Sequence, residues 1–545
     1  MKIKKVHIKN FRSIKDEVLE FPENGIVSII GANNAGKSNF LRAIDLVLGE
    51  SWVNGDRLEE YDYYCGDTKK VILIKIVFDN GSYVTFDSGE KWPEYCDSSG
   101  GKIYTSIKDE FPCTYLSAER SISKDTSFNK WSLMSKISKS FNKSINDEQK
   151  LKLATHFDSV KDIFNEVESF SNFERDFKSF FNEMQSDSPY KLDIDFKPFT
   201  PNNYFKTINI LASDPNVGNN IDIEELGDGA KNLTIISLLR SYAKNFRGAS
   251  GIIAIEEPEI YLHPQARKHL FEILKEIADR GLQVIYTTHD SNFLEIYNFE
   301  SIRRIYKVDD EENEGRTYSK ICKLTCSELL DFTNNTGGPH GNSEDKVRNF
   351  YKSISNYRLT EGFFSRLIIL GEGSTEEITI PKYFETIGLN YNSLGISILG
   401  VGGKGEIPKY WRLFHKFGIP VICIFDNDST NGKEKSNELI SKCFNIPITD
   451  ITENINLFKN KNISNGNLVI LEGDFEETIE KEFLKNNEKE ELQAMKDEVN
   501  LLTRSKSVKA SLMVDKFKDY GFIPSFINEL KILSENLLVD KDSDK

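Results

Sequence analysis

Long apolar runs are missing from this chain: no stretch of about 18 such residues could cross a bilayer as a helix. The opening Met1-Lys2-Ile3-Lys4-Lys5 leads into alternating residues instead of the apolar core of a secretion signal. A cytoplasmic protein without membrane contact is the expectation. Cysteine is scarce, with seven residues, odd in number and scattered without a Cys-x-x-Cys pair, which excludes a disulfide or structural-zinc framework. A basic surplus is also lacking, since 70 Lys and Arg face 85 Asp and Glu and leave a formal charge of -15. Contact with nucleic acid must therefore come from a local basic groove and not from a cationic surface at large. There is no repeat of fixed period, and only the terminal Asp-Lys-Asp-Ser-Asp-Lys reads as a disordered tail. What is present is 545 residues with 39% hydrophobic and 11% aromatic side chains, enough for several packed domains.

The order of elements is that of an α/β protein. Ile3 to Phe11 alternate as a strand, Val27 to Ile30 form a buried-type strand, and a helical pattern follows from Lys37 to Leu48. Residues 69–87 read as a hairpin around Asp79-Asn80-Gly81. Residues 121–200 change to Lys, Ser, Asn and Phe at helical spacing, which predicts a helical insertion. Strands return at 252–256 and 282–287 around a helix from Pro264, as in βαβ units of a parallel sheet. A polar, turn-rich stretch containing Asn334 to Pro339 predicts a linker over 331–360. A second β/α alternation follows, with strands at 366–371, 395–401 and 420–425.

Gly31-Ala32-Asn33-Asn34-Ala35-Gly36-Lys37-Ser38 fits G-x-x-x-x-G-K-[ST] between a strand and a helix. Backbone N–H groups of such a loop cradle phosphates, Lys37 reaches the outer oxygens, and Ser38 can ligate Mg²⁺. Asn33, Asn34, Gly36, Lys37, Ser38 and Asn39 are thus the ATP-contacting candidates of the loop. At the end of Ile252 to Ile255, Glu256 is the candidate for Mg²⁺ and Glu257 for the attacking water. His289, after the next strand, is placed to meet a γ-phosphate.

The series of P-loop, Leu226-Gly227-Asp228-Gly229-Ala230-Lys231, IIAIEEPEIYLHP and TTHD resembles the ABC-type ATPase heads of the SMC-like and OLD (overcoming lysogenisation defect) families. The resemblance implies that Gly227 and Gly229 complete the ATP site of a partner copy, hence a homodimer or higher homo-oligomer. It departs from the LSGGQ wording, and no Q-loop glutamine is found; read alone, the glycines are a turn before a helix. Arg12 resembles the family's N-terminal basic residue near the nucleotide, a solvated turn arginine being the plain alternative.

Glu372, framed by glycines after one apolar strand, and Asp426 and Asp428, ending another, are carboxylates that parallel strands bring to one edge. Acids so gathered need a divalent cation, and all-oxygen donors suit Mg²⁺ or Mn²⁺. The pattern resembles a Toprim domain, in its OLD version, over 361–545. That resemblance adds Glu376, Asp474 and Glu476 as further metal ligands and Lys509 as the basic catalytic residue, Lys506 being the alternative match. Together the resemblances imply an ATPase over 1–120 and 201–330, with 121–200 as a helical insertion for dimerisation. They imply an ATP-dependent DNA endonuclease using two metal ions, serving anti-phage defence beside a helicase-like, reverse-transcriptase or non-coding RNA or DNA partner. The reading of another class is an SMC-like DNA-binding ATPase whose Toprim module does not cut.

Overall fold

The computed structural model describes residues 1–49, 58–89, 93–101, 108, 110–118, 137, 141, 144–184, 211–213, 220–222, 225–245, 251–338, 342–353, 357–427, 434–452 and 467–543. The N-terminal part opens with β1 (Ile3–Phe11), β2 (Ile14–Glu20), β3 (Ile26–Gly31) and helix α1 (Lys37–Leu48). Strands β4 (Leu73–Phe78), β5 (Tyr83–Asp87), β6 (Glu94–Asp97) and β7 (Cys113–Leu116) follow. In β4 every second residue is buried, as suits a strand with one wet face, and β2-β1-β4-β5-β6 form an antiparallel sheet. The hairpin around Asn80 is the β4–β5 connection.

Within the expected insertion, two helices are described, α2 (Asp147–Asn165) and α3 (Glu168–Met184). After the small pair β8 (Leu211–Ser213) and β9 (Asn220–Asp222) come α4 (Asp228–Asn245), β10 (Ile252–Glu256), α5 (Pro264–Asp279), β11 (Gln283–Thr287), β12 (Ile302–Asp309) and β13 (Thr317–Cys322). The second sheet runs β13-β12-β3-β11-β10-β7, parallel except for β13. Its inner strands are buried on both faces, which is why β10 and β3 read as nearly continuous apolar runs.

The stretch read as a linker is built into the core. Helix α6 (Cys326–Asn335) starts with a capping box between Thr325 and Glu328, and α7 (Glu344–Ser353) buries Val347 and Tyr351. The turn-forming residues 334–338, of which Asn334 and Asn335 end α6, hid both helices. The second half contains β14 (Leu367–Gly371), α8 (Ser374–Thr386), β15 (Ile396–Gly400), α9 (Ile407–Lys416), β16 (Val421–Asp426) and β17 (Asn467–Leu471). The four strands form the all-parallel sheet β15-β14-β16-β17. Helices α10 (Phe475–Phe483), α11 (Lys489–Leu502), α12 (Lys506–Asp519) and α13 (Ser525–Ser543) close it, so the helix continues into the segment read as a disordered tail.

One apolar cluster joins the halves, packing Ile30, Leu294 and Phe299 with Leu329, Trp411 and Phe414. Across the same boundary the buried Arg304 of β12 donates to the carbonyls of Phe417 (3.1 Å) and Gly418 (3.4 Å). Since Arg304 pairs with Ile30 in register, the phosphate-loop strand is one bond away from the turn that precedes β16.

Candidate active sites

The first site lies at the carboxyl ends of β3, β10 and β11. Gly31 has φ 147° and Gly36 φ 99°; a Cβ on Gly31 would meet the Ile305 carbonyl oxygen at 2.2 Å, and one on Gly36 the Ser13 and Ser319 hydroxyls at 2.3 Å. Glycine is required at both places. Lys37 folds back with Nζ at 3.0 Å from the carbonyls of Gly31 and Ala32. Burial pushes its ammonium down to about 8 despite the charges of Glu257 and Glu259. Asn39 donates to Ser13 Oγ at 2.8 Å, which ties the start of α1 to the β1–β2 turn. Asn33 and Asn34 stand exposed at the turn, Asn34 with φ 63°.

Glu256 is buried and accepts from the Tyr115 hydroxyl at 2.6 Å and the Ala118 N–H at 3.3 Å. Glu257 sits at φ 44°, its N–H bonded to the Thr287 carbonyl at 3.0 Å, and its Oε1 is 3.7 Å from His289 Nε2. A non-glycine residue held in that backbone region is a costly placement of the kind found at functional sites. Burial, with Lys37 adding to it, lowers the His289 imidazole below its usual range, so the ring is neutral near pH 7. Lys37, Glu257 and His289 thus share one electrostatic environment.

Sequence reasoning missed Glu259. Its buried carboxylate takes the Thr288 hydroxyl and the His289 N–H, each at 2.8 Å, and so sets the His289 backbone. The repeated acid in Glu256-Glu257-Pro258-Glu259 was the available signal. Arg267, paired with Asp290 at 3.0 Å, and Glu361 line the same cavity of about 470 Å³ as Glu257 and His289. Gly227 is exposed with nothing within 4 Å of a built Cβ, and Gly229 in the first turn of α4 approaches the Tyr261 carbonyl. Behind them, buried Asn232 donates to the carbonyls of Pro258 (3.1 Å) and Ile260 (3.2 Å), anchoring α4 to the segment after Glu257. Arg12 is drawn to Asp62 through Nε (2.9 Å) and Nη2 (2.8 Å), a local ion pair that accounts for its position.

The second site lies at the carboxyl edge of the four-stranded sheet. Glu372 follows β14 and accepts the Asp426 N–H at 2.9 Å, which locks the ends of β14 and β16 together. Lys404 is buried and donates to the Asp426 carbonyl. Glu376 in the first turn of α8 takes the Gly373 N–H at 3.0 Å. Burial raises its carboxyl to about 7, with the charges of Glu372 and Glu476 adding to the rise. Glu476 has both carboxylate oxygens buried without a hydrogen-bond partner, while Lys506 Nζ stands 3.1 Å away as an ion pair.

Lys506 also lies 3.4 Å from Asp474, which caps α10 by accepting the Glu477 N–H. Burial works against the Lys506 charge, and the two acids outweigh it, raising the ammonium above its usual range. The structure therefore pairs Lys506, not the expected Lys509, with the acids; Lys509 lies one helical turn on and lines the adjoining pocket. Asp428 lies outside the described residues. Among those described, no three acidic, His or Cys side chains already point at one centre. The donors nonetheless fit a hard divalent ion, being oxygen only and mutually repelling, with the Glu476 oxygens buried. Among the described residues no helix is long and apolar enough to cross a membrane.

Comparison with known proteins agrees with this division. The family model of the AAA ATPase domain matches residues 1–110 and 90–294, and that of the overcoming lysogenization defect protein-like TOPRIM domain matches 363–428. The OLD nuclease of Thermus scotoductus is 23% identical over 469 residues, covering 80% of this chain and 84% of its own. The Old nuclease of Escherichia phage P2 is 24% identical over 507 residues, covering 84% of this chain and 82% of its own. Endonuclease GajA of Bacillus cereus strain VD045 is 22% identical over 501 residues, covering 82% and 79%.

Proposed function

Because this chain belongs to the AAA ATPase domain family, matched over 1–110 and 90–294, and carries an OLD-like TOPRIM domain, we propose that it is an ATP-hydrolysing DNA endonuclease. The observation that carries the nuclease reading is that Glu372 accepts the Asp426 N–H where two parallel strands end, with the Glu376 carboxyl in electrostatic reach of Glu372 and Glu476. In the ATPase half, loop amides and Lys37 hold the phosphates of the substrate ATP, and Ser38 and Glu256 hold its Mg²⁺. Glu257 accepts the proton of the attacking water, and neutral His289 donates towards the γ-phosphate. Exposed Gly227 and half-buried Gly229, at the start of α4, serve the ATP of a second copy.

In the nuclease half, Glu372, Glu376, Asp426, Asp428, Asp474 and Glu476 are the ligand set for Mg²⁺ or Mn²⁺. When bound, such ions activate water and stabilise the leaving oxygen of an in-line displacement. Lys506 balances the acids and meets the phosphate, with Lys509 beside it. Dimerisation through the helical insertion is supported by α3, where the rings of Phe173 and Phe177 stack at 6.4 Å while 62% and 41% exposed. A role in anti-phage defence within the cytoplasm, with a helicase-like, reverse-transcriptase or non-coding nucleic-acid partner, completes the reading.

The test is supercoiled plasmid with Mg²⁺ or Mn²⁺, with and without chelator. Cleavage by the wild type, lost in Asp426→Ala with ATP hydrolysis retained, is expected. Undiminished nicking by Asp426→Ala would favour the other reading, a DNA-binding ATPase with a non-cutting Toprim module.

A further inference from the structure

A second cavity of about 310 Å³ opens between α8, α10, α11 and α12 and reaches the metal-binding candidates at Glu476, which lines it. Its floor is apolar, made by Ile479, Val499, Ala510, Met513 and Phe517. Lys496, Lys506 and Lys509 also line it, Lys496 paired with Glu480 and Lys506 with Glu476, two acids of the same lining. Tyr383 also lines it, 1% exposed, and the buried Tyr383 hydroxyl has no hydrogen-bond partner. A buried hydroxyl without a partner is costly, and a ligand able to bond it would remove that cost.

A slot lined by apolar side chains and by Tyr383, with ammonium groups beside it, is complementary to a flat heteroaromatic ring carrying a phosphate. Lys506 joins this slot to the acids at Asp474 and Glu476, so the phosphate of such a ligand lies at the cutting site. We infer that the pocket takes one nucleobase of the DNA strand being cut, turned out of its stack, with Tyr383 reading its edge. Lys506 and Lys509 hold the adjoining phosphate. This rests on the nuclease reading and adds a base-selecting site to it. Enzymes that extrude a base pay its unstacking and recover it in such a pocket, which makes the local base a determinant of where cleavage occurs.

The test compares 12-mer single strands of equal charge, oligo-dT, oligo-dA and a base-free tetrahydrofuran backbone, by fluorescence anisotropy without divalent ions. The wild type should bind at least one base-bearing strand about ten-fold more tightly than the base-free one. Ala510→Trp, which fills the slot, should bind all three alike. Tyr383→Phe keeps the packing and should change the ratio between dT and dA while leaving the base-free affinity as it was. Unaltered ATP hydrolysis in both variants certifies the fold. A wild type that binds base-free and base-bearing strands equally, or the same ratios in all three proteins, would overturn the pocket. Absence of plasmid cleavage by the wild type with Mn²⁺ would instead sink the nuclease reading, leaving the binding ratios to judge the pocket alone.

Discussion

Lys37 shows how much a single side chain can report. Its folded-state value of about 8 lies below the ordinary 10.5, so between these values the unfolded chain binds more protons than the folded one. Lys37 should therefore add stability to the nucleotide-free protein as pH rises from 8 to 10.5, as buried Lys108, also pushed down to about 8, does, and Lys37→Met should make that slope shallower; thermal melts across the range check it. Polyphosphate reverses the balance by favouring the charged ammonium, so ATP affinity should fall as pH passes upward through 8. Glu257 carries the second residue-scale prediction. Glu257→Gln keeps the shape beside His289 but cannot take the water's proton, so ATP should still bind while phosphate release falls by about 10²-fold or more. An active Glu257→Gln enzyme would remove Glu257 from that role.

At the scale of elements, α4 matters because its glycine-rich start is exposed while its body is moored. Asn232, buried, supplies both moorings by donating to Pro258 and Ile260. Asn232→Ala leaves two carbonyls unpaired, which costs about 1–3 kcal/mol. The urea midpoint should fall accordingly, and ATP turnover should drop because the segment after Glu257 is released. An unchanged midpoint would show that α4 is held elsewhere. The element most at odds with its sequence is the pair α6 and α7. Turn residues at 334–338 suggested a linker, yet the Thr325 capping box and the burial of Leu329 and Tyr351 make these helices the seam between the halves.

For the whole molecule, the question is whether nucleotide and nuclease sites move together. Trp411 is 1% exposed and stacks on His415 at 4.9 Å and against Phe332 of α6 at 5.7 Å, inside the cluster that spans both halves. Trp411→Ala should cost about 3–5 kcal/mol in stability. If the shared core transmits nucleotide state, the same variant should also lose any effect of ATP on cleavage rate. A variant that keeps that effect at full size would place the coupling outside this core.

Much of both candidate sites is legible in the amino-acid order alone. The glycine spacing around Lys37 has one physical use, since Gly31 and Gly36 occupy places where a Cβ collides with Ile305 or Ser319. Buried strands ending in Glu256, Glu372 and Asp426 announce themselves because parallel sheets bury both faces and expose only their carboxyl ends. Tertiary structure decided what depends on distance between remote segments. Glu259 serving His289, Lys506 and not Lys509 facing Asp474 and Glu476, and Arg12 satisfied by Asp62 are all contacts of this kind. A one-dimensional pattern records which way a residue faces along its own helix or strand. It does not record which neighbour waits there, because that is fixed by packing between elements far apart in the chain.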